Sequence, residues 1–383
     1  MIRTSLRRPT ARGIVPAVVP GIAVLALVLT GCGAGNESDA ATAPASGSSD
    51  SGSASGLSGN LAGGGSSAQD SAQQAWRAGF QSANPDATIT YDPVGSGGGR
   101  ESFISGAYTF AGSDSYLTDD DGELTKATKT CNNEDPVEVP AYVSPIAIIF
   151  NLPGVDSLKL DAATVAKIFD GKITTWDDPA IAQQNSGVKL PSSAISPVHR
   201  SDDSGTTQNF TDYLNKAGAG AWSYDADGVW PIKGGESAEG TSGMVAAVKG
   251  GQGTIGYADE SQAQGLGTVS VKVGSAYVAP SAEGAAKALA VSKPVSGRPA
   301  VDMAMDIDRT TTESGAYPVL LASYLIACQH YSDASTAKLV SGFLSYIVSD
   351  AGQQAAAQQA GSAPLDAQLA SKAQQVVGAI SAG

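Results

Sequence analysis

Stretches of strand character alternate with stretches of helical spacing along most of this chain, and that alternation limits the fold more than any other feature. Apolar or alternating runs fall at 89–94, 107–112, 137–151, 195–201, 254–258, 269–273, 299–307 and 317–328. Helical spacing fits 67–82, 97–106, 161–169, 241–250, 282–291 and 335–360. A hydrophobic period of two suits a strand and one of about 3.6 suits a helix. Their alternation predicts an α/β chain with mostly parallel sheets flanked by helices. Ligands of such sheets sit beyond the carboxyl ends of the strands. The first helix would bury Ala68, Ala72, Ala75, Trp76, Gly79 and Phe80, which share one face. Val137 to Asn151 carries polar residues and then a continuous apolar stretch, as a strand crossing between two bodies would. Residues 299–312 offer a return crossing, and no internal repeat is present.

Four loops at strand ends share one kind of chemistry. His199-Arg200-Ser201-Asp202-Asp203-Ser204-Gly205-Thr206-Thr207 sets a guanidinium, carboxylates and hydroxyls before a segment of helical spacing. A helix starting near Gly205 would aim free backbone N–H groups, with the positive end of its dipole behind them, at one point. Arg200 adds a fork of donors that stays charged. Gly63-Gly64-Gly65-Ser66-Ser67-Ala68 precedes the first helix, and Gly95-Ser96-Gly97-Gly98-Gly99 follows the strand-like Ile89 to Val94. Absent side chains there let an anion approach backbone donors. Thr109-Phe110-Ala111-Gly112-Ser113-Asp114 reads as a strand delivering a hydroxyl and a carboxylate at its end. One such loop is an ordinary turn; four together point to a small tetrahedral oxyanion.

The first 31 residues read as an export signal, with Arg3, Arg7, Arg8 and Arg12 ahead of a mostly apolar core from Ile14 to Leu29. That core, interrupted by Pro16 and Pro20, falls short of the ~20 residues a membrane span needs. Leu29-Thr30-Gly31-Cys32 resembles a bacterial lipobox, so Cys32 is the expected lipidation site and the membrane is reached through a lipid anchor. Residues 32–56, rich in Gly, Ser, Ala, Asp and Thr, cannot bury enough surface to offset their ordering entropy and read as a flexible tether. Export leaves Cys131 and Cys328 as an even pair in an oxidising compartment, where a disulfide is expected. Two histidines and no CxxC spacing argue against a zinc site.

The formal net charge is −14, and loss of four signal arginines makes the mature chain more acidic still. That excludes a nucleic-acid surface, which needs a basic stripe. A negative protein still binds an anion where local donors dominate a desolvated pocket. Nothing resembles a Walker A loop. A hydrolase using Ser204 or Ser96 with His199 is the rival from another class. However, His199 neighbours Arg200 in a strand and should face the opposite side, and there is no G-x-S-x-G elbow. Trp176, Trp222 and Trp230 are expected to pack structurally rather than stack on a sugar.

These stretches resemble the phosphate-binding lipoproteins of bacterial phosphate ABC importers, over nearly all of 57–365. Arg200 to Thr207 is similar to the family's signature loop. Ile168 to Pro179 resembles its interdomain-face segment, and Gly253 to Tyr257 a further strand. Gly95-Ser96-Gly97-Gly98 and Gly112-Ser113-Asp114 resemble its two anion loops. The resemblance implies a two-lobed periplasmic-binding-protein (class II) fold with a two-segment hinge. Lobe one would be 57–142 plus 310–383, and lobe two 143–309. It implies phosphate contacts from Ser67, Ala68, Ser96, Asp114, Arg200, Ser204, Gly205 and Thr206, with Asp202 orienting Arg200. Many members have Thr-Phe where this chain has Ser67-Ala68, so the second contact there falls to a backbone N–H. The implied protein is a non-enzymatic monomer without cofactor or metal that hands inorganic phosphate to an ABC permease. A receptor for another tetrahedral oxyanion is the near alternative, and Asp114 weighs against it.

Overall fold

The computed structural model describes residues 56–383. In chain order they form β1 (Gly59–Gly65), α1 (Asp70–Ala83), β2 (Ala87–Asp92), α2 (Ser96–Ile104), β3 (Phe110–Ser113), α3 (Glu123–Thr130) and β4 (Val137–Phe150). Next come β5 (Ser157–Leu160), α4 (Ala162–Phe169), α5 (Pro179–Ala182), β6 (Ser196–Arg200), α6 (Gly205–Ala217), β7 (Glu236–Ala238) and α7 (Gly240–Gly250). They are followed by β8 (Thr254–Asp259), β9 (Gly267–Val273), β10 (Ala276–Val278), α8 (Ala282–Ala290), β11 (Lys293–Pro294) and β12 (Met305–Asp306). The chain closes with β13 (Leu320–Ala327), β14 (His330–Tyr331), α9 (Ala334–Ile347), α10 (Asp350–Ala360), α11 (Ala367–Gly378) and β15 (Ser381–Ala382). The export signal, Cys32 and the tether up to residue 55 lie outside the described residues.

One mixed sheet runs in the order β2-β1-β3-β13-β4-β8-β6-β7, with β9, β5 and β10 attached beside the end of β4. The outer pairs β1–β2, β1–β3, β6–β8 and β6–β7 are parallel, and the central pairs of β4 with β13 and β8 are antiparallel. Strand β4 joins the two halves of the sheet. Its residues up to Pro145 pair with β13, and Ile146 to Phe150 pair with β8. Every residue of β4 is buried, as its apolar run requires. Pro140 lacks a ladder donor, and the register of β13 slips between Ser323 and Tyr324 opposite it.

Strand β1 was hidden in the sequence by its glycines. Gly63 to Gly65 form its end rather than a loop. A Cβ on Gly63 would lie 2.4 Å from the ring of Phe110, and one on Gly65 1.9 Å from the carbonyl oxygen of Gly112. Bare backbone is what lets β3 and its aromatic ring come this close. On α1, Ala72, Trp76 and Phe80 are buried as expected, while Ala75 and Gly79 are half-buried and Gln73 is buried. The helical run 335–360 is two helices, because Ser349 caps α10 by accepting from the N–H of Gly352 and so starts a new axis. The run 299–307 holds only the two residues of β12. The rest lies against the edge of β4, with Glu138 N–H donating to Val301 and Met303 N–H donating to Glu138.

Residues 282–309 pack their apolar side chains with β4 and β13, while Asp306 and Arg309 make polar contacts to α6. Ala285, Ala288, Leu289 and Ile307 share a buried cluster with Val143, Leu320, Ala322 and Tyr324. The apolar face of α8 has its complement there. Cys131, at the end of α3, is bridged to Cys328 just beyond β13, with Cα atoms 5.2 Å apart.

Candidate anion-binding site

The loops singled out in the sequence all follow parallel strands, so the fold gathers them at one edge. Ser66-Ser67-Ala68 lies between β1 and α1, Gly95 between β2 and α2, and Asp114 directly after β3. From the other half, Arg200 ends β6 and Ser204 caps α6 by accepting from the N–H of Thr207 at 3.2 Å. Helices α1, α2 and α6 thus begin at the same place, each bringing unpaired N–H groups and a positive dipole end.

Arg200 is 3% exposed. Its Nε donates to Asp202 Oδ1 at 2.7 Å, and Nη2 pairs with Asp202 Oδ2 and donates to Ser67 Oγ at 3.2 Å. Asp202 therefore fixes one edge of the fork and leaves the rest of the guanidinium aimed at the first half of the sheet. Asp114, also 3% exposed, accepts from Thr206 Oγ1 at 2.9 Å and from Ser323 Oγ at 2.6 Å. Its own N–H donates to Ser96 Oγ at 3.1 Å. Gly205 sits against both: a Cβ there would lie 2.6 Å from Ser96 Oγ and 2.8 Å from Asp114 Cβ. A Cβ on Gly95 would lie 2.6 Å from Asp202 Oδ2, which sets the Arg200 group beside the loop of Ser96. Ala68 is fully buried, and its N–H donates to Ser66 Oγ at 3.1 Å. The sequence-predicted residues thus come together as two touching groups, Ser67–Arg200–Asp202 and Ser96–Asp114–Gly205–Thr206, with Ser204 and Ala68 at the adjoining helix starts.

His199 is turned away from this chemistry. Its ring nitrogens lie 2.8 Å from the carbonyl of Arg200 and 3.1 Å from that of Gly234, and the ring stacks on Trp230. Trp176 and Trp222 are buried in the core, Trp176 donating to the carbonyl of Gly253 at 3.2 Å. Among the described residues, no group of His, Cys, Asp and Glu could hold a metal ion.

A PBP superfamily domain model (PBP-like 2) matches residues 39–351. The phosphate-binding protein PstS2 of Mycobacterium bovis BCG is 35% identical over 371 residues, covering 95% of this chain and 98% of that protein. The chain belongs to the PstS family of phosphate-binding proteins. PstS 3 of Mycobacterium leprae is 35% identical over 336 residues, 85% of this chain and 88% of its own. The solved structure of a high-affinity periplasmic phosphate-binding protein (PfluDING) with bound phosphate matches the fold with a TM-score of 0.65. It is 22% identical and covers 83% of this chain and 93% of its own.

This PstS-family chain carries further site residues that sequence reasoning missed. Thr241, at the start of α7, donates its N–H to Ser67 Oγ at 3.0 Å, and the preceding Gly240 N–H donates to Asp202 Oδ1 at 3.1 Å. A fourth helix start therefore faces the site. Gln262 donates to the carbonyl of Ser67 at 3.2 Å. Arg100, 6% exposed, donates to Ser113 Oγ at 3.2 Å and Ser115 Oγ at 2.7 Å, pinning the loop on either side of Asp114. Glu123 holds Arg100 at 2.8 Å, and Asp203 approaches it at 3.6 Å from the other half of the sheet. Burial pushes the Asp203 carboxyl up, and Arg100 opposes that. Tyr257 accepts from the N–H of Arg200 at 3.2 Å, and burial pushes its hydroxyl up to about 12. Arg100 follows the glycine loop, Asp203 lies inside the Arg200 loop and Tyr257 ends the Gly253–Tyr257 stretch, whereas Gly240, Thr241 and Gln262 sit on segments with no motif.

Proposed function

We propose that this protein is an extracytoplasmic receptor for inorganic phosphate that delivers its ligand to the membrane permease of an ABC importer and is itself not an enzyme. The observation that carries the reading is the meeting of a buried, carboxylate-oriented guanidinium with a buried carboxylate at the shared start of several helices. Cationic and N–H donors on all sides favour an oxyanion. A carboxylate among them is tolerable only if the ligand brings a proton for it to accept. Phosphate near neutral pH does so. The relatives' names as phosphate-binding proteins agree with this chemistry.

In this reading phosphate enters between two lobes that close over it, with Ser67, Ala68, Ser96 and Asp114 on one side and Arg200, Ser204, Gly205 and Thr206 on the other. The lobes are proposed as 57–145 with 282–383, and 146–281, since β4 changes partner after Pro145 and residues 282–309 pack on β13. This proposed boundary differs from the one the resemblance implies. Cys32 would carry the lipid anchor, residues 32–56 would tether the receptor to the membrane, and the receptor would act as a monomer. A phosphatase reading is weaker, because both ring nitrogens of His199 lie on main-chain carbonyls. Calorimetric titration of phosphate-stripped protein with inorganic phosphate tests the proposal. Tight one-to-one binding is expected, and absence of heat at micromolar protein would overturn it.

A further inference from the structure

Asn209 lies one helical turn beyond Gly205 on α6 and is 8% exposed. Its Nδ2 donates to the carbonyl of Gly205 at 2.9 Å and, across the sheet halves, to the main-chain carbonyl of Asp114 at 2.7 Å. Its Oδ1 accepts from Nη2 of Arg309. Arg309 is 3% exposed and uses its whole fork. Nε donates to Asp212 on α6 at 2.9 Å, and Nη1 donates to the carbonyls of Pro318 and Leu320 at 2.9 and 2.8 Å. Leu320 pairs with Pro145, the last β4 residue before its partner changes from β13 to β8. Arg309 therefore sits at the joint between the two halves, tied to β13 and gripping α6.

The polarity of this chain of contacts is not free. A guanidinium only donates, so the oxygen of Asn209 must face Arg309. That leaves the amide nitrogen for the carbonyl of Asp114. An amide in the opposite orientation would set NH₂ against a cation and an oxygen against a carbonyl, with no partner for either in a buried place. The carboxylate of Asp114 is held by Thr206 and Ser323, and its main chain by Ser96 and Asn209. Of these four, Asn209 is the one whose own orientation is set from the joint.

We propose that Arg309 and Asn209 are positioning residues that form a closure relay: Arg309 orients the amide of Asn209, which then clasps the main chain of Asp114 and sets how long phosphate stays bound. The relay rests on the phosphate-receptor reading. It acts once the halves have met, so it belongs to release rather than to encounter. Association is governed by access and long-range charge, which these buried groups do not alter.

The test uses the full mature protein loaded with radiolabelled inorganic phosphate and chased with unlabelled phosphate. Asn209→Asp keeps the size and the Arg309 contact but cannot donate to Asp114 when ionised. Asn209→Ala removes the clasp without adding charge. Both should release phosphate about ten-fold faster or more, the scale of one buried hydrogen bond lost with its acceptor left unpaired. Association should stay within about two-fold of wild type. Arg309→Gln should also speed release, and combining it with Asn209→Ala should give clearly less than the sum of the two effects, because Arg309 acts in series with Asn209 while it also holds Asp212. Wild-type release in both Asn209 variants would overturn the relay. So would a lower melting temperature of the phosphate-free Asn209→Ala protein with release unchanged, and so would additive effects in the double variant. If wild type itself retained no phosphate, the receptor reading would fail, and the relay with it.

Discussion

Thr206, in the first turn of α6, donates its hydroxyl at 2.9 Å to Asp114, directly after β3, and the two residues belong to opposite halves of the sheet. Ser323 occupies the other carboxylate oxygen. Each oxygen has a second lone pair, so the group can still accept, but as a carboxylate it has nothing to donate. Phosphate and arsenate keep a proton near neutral pH and can offer it; sulfate cannot. Sites built around such a hydrogen bond reject analogues lacking it by roughly 10⁴–10⁵. Sulfate in large excess should therefore fail to displace phosphate, while arsenate competes. Asp114→Asn, whose amide offers either oxygen or NH₂, should lose discrimination more than phosphate affinity. Tight sulfate binding to the unmodified protein, seen by calorimetry, would remove Asp114 from the pocket.

Arg200→Ala should weaken phosphate binding strongly. Truncating one member of a buried charged pair costs about 2–5 kcal/mol, and Asp202 would be left facing the anion with its counter-charge gone. Arg200→Lys should also lose affinity, because a point charge cannot serve Asp202, Ser67 and the ligand along one plane. Equilibrium titration of either variant decides this, and wild-type affinity would show that the guanidinium does not reach the ligand.

Gly205→Ala separates binding from stability. The backbone at Gly205 is helical, where alanine is favoured over glycine by up to about 1 kcal/mol. Yet the new methyl would press on Ser96 Oγ and Asp114 Cβ across the cleft. The phosphate-free protein should melt no lower than wild type, while affinity falls by about ten-fold or more through overpacking of the closed form. Unchanged affinity would mean that the halves do not meet this closely in the bound state.

Reduction of Cys131–Cys328 should lower the melting temperature and spare the site. The bridge spans 197 residues of sequence, and closing a loop of that kind contributes on the order of 2–4 kcal/mol. It pins the end of α3, whose Glu123 holds Arg100, and both cysteines sit in a buried cluster with Phe103, Ala111, Leu117, Ala127 and Ile326, none of them proposed to face the anion. Loss of phosphate binding in parallel with reduction would contradict that separation.

How much of this was legible depended on whether a feature was local. Strands β2, β8, β9 and β13 carry their apolar pattern in consecutive residues, and the glycine-rich loop after β2 and the Arg/Asp/Ser loop before α6 announce themselves by composition. Strand β1 does not, since its glycines answer to Phe110 and Gly112 on a neighbouring strand. The same holds for the support of the site. Asn209 meets Asp114 at a separation of 95 residues, Thr241 meets Ser67 at 174, and Ser323 meets Asp114 at 209. Each is a common polar residue whose segment reads only as helix or strand, and the pairing of β4 and β13 with their neighbours is what brings it to its partner.

Asp259 is fully buried where β8 meets β4, opposite Ile146. Burial pushes its carboxyl up to about 7, against hydrogen bonds from Ser261 and Tyr142 that pull it down. The geometry fits a protonated acid. The Tyr142 hydroxyl lies 3.0 Å from Asp259 Oδ2 and 3.3 Å from the carbonyl of Ala360, and its single hydrogen cannot serve both. A neutral Asp259 can donate to Tyr142, leaving that hydrogen for Ala360. The folded carboxyl thus holds a proton between about 4 and about 7 that the unfolded one, near the ordinary value of about 3.9, has released. Stability falls with pH wherever the folded state binds more protons. This group's contribution is therefore full below about 4 and lost as pH rises through about 7. Glu138, raised in the same direction by burial, adds to the trend but is untouched by changes at Asp259. Asp259→Asn mimics the neutral acid, so it should match wild type near pH 4 and exceed it at pH 8, by a few kcal/mol at most. Chemical denaturation of both proteins across that range reads the difference directly. Parallel curves would mean that Asp259 is ionised in the fold throughout, and that Tyr142 gives its hydrogen to the carboxylate instead of to Ala360.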